Sequence, residues 1–265
     1  MQFKKKLQIF ALLLIFLATA GCLKTYQEIR LKSDLSGTME FKIIYDIQAI
    51  TSAMSMQQEM MGQKASPEQK SMMQEEFKNQ ILGNKDKSKQ EIESQLPEGI
   101  KLTEFSIEES KDDKVSMKIA IEFDHIRNLK KLQNLQLSEG DAMGASGKSS
   151  TKFLEQFSVE EMGDSIIIKQ NIGKPQGMGQ AKGKGKGKGQ MPPQIEQMIS
   201  GMMKSLGINF RIRIPFKQYK VAEHNAHKYD QKTHTLYWMY SGEKMMKMAE
   251  TGEEIQNIYL KLDKK

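Results

Sequence analysis

The chain is poor in the residues that would make its chemistry easy to read. It has one cysteine, Cys22, so no disulfide within it can staple the fold and the core must hold itself together. Aromatic residues make up 7% of the 265 positions, with a single tryptophan, which leaves Ile, Leu, Val and an unusual stock of methionine to fill that core. The longest unbroken apolar run, Ile9 to Ala18, falls short of the roughly 20 residues that a bilayer-spanning helix requires. No G-x-S-x-G elbow, P-loop or dinucleotide fingerprint occurs, and no cysteine besides Cys22 offers a nucleophile. The expectation is a protein that is not an enzyme and carries no cofactor. A pair of carboxylates is the one acid–base arrangement that spacing alone leaves open.

An excess of charge is also largely missing. The formal charge is +7, from 40 Lys and Arg against 33 Asp and Glu. Lys4, Lys5 and Lys6 supply three of those positive charges, and five more lysines lie between Gly173 and Gln190 in a stretch without an acid. The remaining 32 basic and 33 acidic residues leave the body at −1. A positive field confined to one segment argues against nucleic acid as a partner.

What is present begins with the first residues. Lys4, Lys5 and Lys6 precede the apolar run, which ends in the small residues Ala18, Thr19, Ala20 and Gly21. That is the layout of a secretory signal. With Cys22 following, this stretch resembles the lipobox of bacterial lipoproteins, although Thr19 stands where leucine is commonest. The resemblance implies cleavage between Gly21 and Cys22 and a diacylglycerol thioether, with palmitate, on the Cys22 sulfur. Residues 1–21 are then a lipoprotein signal peptide and 22–265 the mature chain, long enough for one domain with a sizeable core. The expected location is the cell envelope, on the periplasmic or extracellular face of a membrane reached through the lipid.

Beyond Cys22 the pattern alternates between strand and helix periods. Tyr26 to Lys32, Ser36 and Gly37, then Thr38 to Ile47 read as a hairpin that starts within a few residues of the anchor, without a Ser/Gly tether. From Ala49 to Leu96 the period is helical, with breaks at Gly62 and at Gly83 to Lys85. Ser66, Pro67, Glu68 and Gln69 carry a capping box, and Ser88 with Glu91 repeats it. Met73, Phe77 and Ile81 give the middle helix an apolar stripe. Strands are predicted over Ile100 to Ile107, Val115 to Phe123, Phe157 to Glu161, Ser165 to Asn171, Ile208 to Phe216, Leu236 to Tyr240 and Ile258 to Leu262. Helices are predicted at Ile126 to Leu135 behind an Asp124 cap, at Pro192 to Leu206, and near Lys244 to Ala249. The whole reads as a single α+β domain, a largely antiparallel sheet built from hairpins with helices packed on one face. The polar stretches at about 139–150 and 173–190 are expected to be mobile insertions, because they carry too little apolar surface to offset the entropy of ordering.

Two parts of the mature chain resemble the LppM-type bacterial envelope lipoproteins. One is the cysteine running straight into a strand and a glycine turn, with Ile29, Leu31, Ser36 and Gly37. The other is a strand ending in proline, an Asn-Ala turn and a strand bearing tryptophan, with Ile214, Pro215, Val221, Asn225, Ala226, Thr235, Leu236 and Trp238. The resemblance implies an envelope location and an α+β domain that handles lipids, and transfers no catalytic residue. The C-terminal membrane helix carried by some such proteins has no counterpart in the closing residues Leu260 to Lys265.

Three features carry candidate chemistry. His224, His227 and His234, with Asp230 nearby, offer ligands to zinc or copper, against the plainer reading of a polar surface turn. The methionine groups, Met54, Met56, Met60 and Met61, Met72 and Met73, Met202 and Met203, and Met245, Met246 and Met248, read first as adaptable core. They read second as a groove for lipid tails or an envelope partner, and last as soft ligands for Cu(I). Lys182, Lys184, Lys186 and Lys188 in the Lys-Gly repeat offer contact with anionic headgroups, at about 1 kcal/mol each near a membrane surface. The plainer reading is a solvated loop. The leading expectation is a lipid-anchored protein that binds lipid or an envelope partner through an apolar surface between helix and sheet. The alternative is a periplasmic Met/His metal-binding protein.

Overall fold

The computed structural model describes residues 23–60, 66–110, 112–134, 136–137, 151–152, 157–171, 207–215, 217–251 and 257–265. Strand β1 (Leu23–Leu31) turns into β2 (Gly37–Asp46) through Lys32–Ser36. The Asp34 carboxylate fixes that turn by accepting from the Ser36 amide at 3.0 Å and hydroxyl at 2.7 Å. Gly37 follows because a Cβ there would meet the Arg30 carbonyl and lie 2.9 Å from Phe123 Cζ. Three helices come next: α1 (Ile47–Met60), α2 (Pro67–Gly83) and α3 (Lys85–Gln95). The Ser66 box closes reciprocally, Gln69 N donating to Ser66 Oγ at 3.2 Å and Ser66 N to Gln69 Oε1 at 2.8 Å. The second predicted box does not form. Asn84 ends α2 and opens α3 directly, so Ser88 falls inside a helix already begun.

Strands β3 (Ile100–Ser110) and β4 (Lys114–Phe123) complete the first half, followed by a 3-10 helix at Ile126–Asn134. The sequence predicts a helix here from apolar residues recurring every third position. That spacing is the 3-10 period itself, and Ile126, Leu129 and Leu132 are all buried along one edge. Asp124 receives the Asn128 side-chain amide instead of capping a backbone N–H. Two short strands, β5 (Gln136–Leu137) and β6 (Thr151–Lys152), pair with each other. Then come β7 (Phe157–Met162), β8 (Ser165–Gln170), β9 (Gly207–Arg213), β10 (Tyr219–His224), β11 (Lys228–Asp230), β12 (Thr235–Ser241), helix α4 (Gly242–Thr251) and β13 (Ile258–Lys264).

The fold is α+β, with strand pairing that is mostly antiparallel. It departs from the expected single sheet, because the strands divide into a seven-stranded sheet, β11-β12-β9-β1-β2-β4-β3, and a four-stranded one, β10-β13-β8-β7. β1 and β9 pair in parallel, Lys24 opposite Gly207 through Arg30 opposite Arg213. One face of the large sheet is apolar: Ile29, Met39, Phe41, Ile119, Ile121, Phe210, Ile212, Leu236 and Trp238 are at most 7% exposed. It is covered by Phe157, Ile166, Ile168, Ile258, Leu260 and Leu262 of the small sheet, by the 3-10 helix, by Ile92 of α3 and by Met245 of α4. A satellite cluster of Ile47, Ile50, Phe77, Ile107 and Val115 seats α1 and α2 on the same face. The expected stripe on α2 is therefore core at Phe77, with Ile81 packed beside it. The predicted helix at 192–206 and both expected insertions lie outside the described residues.

Candidate functional site

Cys22 and Gly21, the expected modification and cleavage positions, lie outside the described residues, but the strand they lead into is described from Leu23 onward. The start of β1 defines one end of the large sheet, the proximal pole. Leu23 pairs with Tyr45, Lys24 with Gly207, and Gly207 with Ser241. The ends of β2 and β12 and the first turns of α1 and α4 therefore gather there. The opposite, distal pole holds the Lys32–Ser36 turn, where the Leu35 carbonyl accepts from Ile126 N at 2.8 Å.

The small sheet follows the same axis. Its Tyr219–Lys264 end is distal: the Tyr219 hydroxyl is pushed up by burial and then by the charges of Glu161 and Asp34, the latter in the distal turn. Its other end turns toward the proximal pole and is tied to the large sheet through Asn225. The Asn225 Oδ1 accepts from the Trp238 indole N–H and from Tyr259 N, both at 2.9 Å, and its Nδ2 donates to the Asn257 carbonyl. One amide side chain thus joins two sheets and satisfies the indole N–H that would otherwise be buried without a partner.

Beside this junction a cleft of about 460 Å³ opens between the 3-10 helix and the small sheet. Its floor is Phe157 and Ile258, each at most 1% exposed. Its walls are Lys130 and Lys169, the amides of Gln170, Asn171 and Asn257, Ser158 and Tyr259. Gln170 is 8% exposed, and its Oε1 has no hydrogen-bond partner among the described residues. Lys169 pairs with Glu160 at 3.2 Å. An apolar floor under lysines and amides suits a molecule with both an apolar and a polar part. Sequence reading misses this cleft, because its residues come from four separate stretches between Lys130 and Tyr259 and match no motif.

The histidines do not converge. His224 and His234 each pack edge-on against Tyr229, with ring centroids 5.7 and 6.1 Å from it, and His234 Nδ1 lies 3.5 Å from the Tyr229 hydroxyl. His224 Nδ1 accepts from Ala226 N at 3.2 Å. His227 turns away: its Nδ1 accepts from Met239 N at 2.9 Å and its ring packs on Tyr240. Burial, and then the nearby Lys244 ammonium, hold its pKa below the ordinary histidine value. Asp230 folds its carboxylate onto Lys232 N and Thr233 N. Among the described residues no group of three His, Cys, Asp or Glu is placed to hold a metal ion.

The methionines separate by position. Met54 packs on the satellite cluster and Met245 is buried in the main one, whereas Met72 is 71% exposed. Met61, Met202 and Met203 lie outside the described residues, as do the side chains of Met56, Met60 and Met246. So do Lys182, Lys184, Lys186 and Lys188. Among the described residues no helix is long and apolar enough to cross a membrane.

No protein-family model matches the chain, and no curated protein matches it. Among solved structures it is similar to the NMR structure of the folded domain of the Mycobacterium tuberculosis protein LppM. The two are 10% identical, with a TM-score of 0.40 over 91% of this chain and 90% of that one. The likeness is a distant one of fold.

Proposed function

We propose that this chain is a bacterial envelope lipoprotein, held to a membrane by a lipid on Cys22 and acting by binding rather than by catalysis. One observation carries the reading: β1 begins at Leu23, the residue after the lipobox-like cysteine. At no more than about 3.6 Å per residue, the anchor sulfur is held within a residue's length of the sheet. The body then rests on the membrane surface with its proximal pole beside the lipid. The cleft between the 3-10 helix and the small sheet is the part of the molecule best suited to meet a lipid or an envelope protein. Its apolar floor and cationic, amide-bearing walls match an amphiphile.

Palmitate labelling in a bacterial host tests the anchor: label enters the parent chain and not a Cys22→Ser variant, and the variant moves from the membrane to the soluble fraction. Native mass spectrometry of the membrane-extracted protein tests the binding: retained lipid or a bound envelope protein supports it, and stoichiometric copper or zinc replaces it with metal binding.

A further inference from the structure

Among the described residues no element packs on the second face of the large sheet, and its two halves differ. Reading across the strands in register, the distal rows are Thr235–Arg213–Arg30–Thr38–Glu122–Lys101 and Tyr237–Arg211–Glu28–Glu40–Ala120–Glu104. These are laced by ion pairs: Arg30 to Glu28 at 2.6 Å, Arg211 to Glu28 at 3.6 Å and Lys32 to Glu122 at 3.1 Å. The proximal rows are Met239–Asn209–Tyr26–Lys42–Lys118–Ser106 and Ser241–Gly207–Lys24–Ile44–Ser116–Glu108. They contain three lysines and one acid. Lys118 reaches back to Glu104 at 2.8 Å and Glu40 at 3.6 Å, while Lys24 and Lys42 have no ion-pair partner among the described residues.

Lys42 sits directly opposite Lys118, a like-charge pairing that costs stability in a sheet. Around it lie Tyr26, Ile44 and Met239, the last 47% exposed, and none of them belongs to either core cluster. Lysines interleaved with tyrosine and aliphatic side chains are the composition that settles at a lipid headgroup boundary. This patch begins two residues after Cys22.

We infer that the proximal half of this face, through Lys24, Tyr26, Lys42, Ile44 and Met239, lies against the anionic leaflet that holds the anchor, so that the body rests on its sheet. The inference rests on the proposed lipidation of Cys22. Its charge logic is separate: an anionic surface supplies the counter-charge that Lys24 and Lys42 do not find among the described residues.

The test uses the full chain lipidated in a bacterial host and reconstituted in vesicles of phosphatidylcholine with phosphatidylglycerol. With the Cys22 sulfur acylated, a single added cysteine takes a fluorophore, in Met239→Cys on this face or in Met72→Cys on α2. Lipids carrying a headgroup quencher should quench the first label strongly and the second weakly, and added salt should narrow the gap. In Lys24→Gln/Lys42→Gln the equilibrium constant for the resting arrangement should fall about twenty-five-fold, at about fivefold per lysine. Equal quenching at the two positions, or no response to the double variant, overturns the inference while the protein still floats with the vesicles. Failure to float overturns the lipid anchor itself.

Discussion

The two halves of this face are made from the same strands, yet their charges are balanced differently among the described residues. In the distal half the like-charge neighbours Arg30 and Arg213, and Glu28 and Glu40, are offset by the ion pairs of Arg30 and Arg211 with Glu28, and the turns are locked by Gly37 against Arg30 and Phe123, and Gly99 at φ +83° beside Asp124. In the proximal half, two lysines stand without a partner among the described residues, one of them opposite a third lysine, and Tyr26, Ile44 and Met239 lie outside the core. Residues that cost the isolated fold something are retained where the chain enters from Cys22. The difference teaches that charges balanced within the sheet mark one end of it, and charges left for an outside partner would mark the other.

The most damaging way to disturb that contrast is to break the distal lock. Gly37→Ala forces a Cβ into the Arg30 carbonyl, and the rearrangement should cost about 3 kcal/mol or more, in the range of severe overpacking. Chemical denaturation should show a large drop in midpoint. No comparable cost is expected for Gly83→Ala at the end of α2, where a Cβ would meet nothing within 4 Å.

Next in size is alkaline pH. Burial pushes the Tyr240 hydroxyl up to about 12, above the unfolded value of about 10. The folded state therefore favours the neutral phenol, and its contribution, about 2 to 3 kcal/mol, is complete below pH 10 and is lost as pH rises toward 12. Denaturation midpoints across that window should fall, and Tyr240→Phe should flatten the fall.

Asn225→Ala should cost about 2 kcal/mol, because the Trp238 indole N–H and Tyr259 N lose a shared acceptor in a buried junction. Since that junction sets the small sheet against the large one, ligand retention in the cleft should weaken with it, as native mass spectrometry would record.

The smallest effect sharpens the comparison most. Lys42→Glu replaces a like-charge pair with an opposite one and should stabilise the soluble body by a few tenths of a kcal/mol, up to about 1. A thermal melt should rise slightly while contact of that face with anionic vesicles falls. A variant that loses stability, or gains membrane contact, would erase the distinction between the two halves.

How much of this was legible beforehand follows from the range of the forces involved. Strand alternation is local, so Met39, Phe41 and Ile43, or Phe210 and Ile212, announce their buried face in the sequence. The Ser66 capping box is equally local. The parallel pairing of β1 with β9 spans nearly two hundred residues and depends on which neighbours are already in place, which no periodicity records. The second sheet was hidden for the same reason, since β10, β8 and β13 look individually like members of one sheet. The 3-10 helix was seen as a helix because its spacing of three was read against the α period. The cleft is a product of these non-local choices, and so it could not be seen. The histidine turn was visible as a cluster in sequence, but strand pairing places Tyr229 between two of its rings and sends the third the other way.

The central claim concerns the attachment at Cys22, and intact-mass analysis of the protein extracted from bacterial membranes addresses it directly. A polypeptide that begins at Cys22 and carries the added mass of a diacylglycerol, with or without a further acyl chain, is the result expected. An unmodified cysteine, or a chain that still begins at Met1, would contradict it.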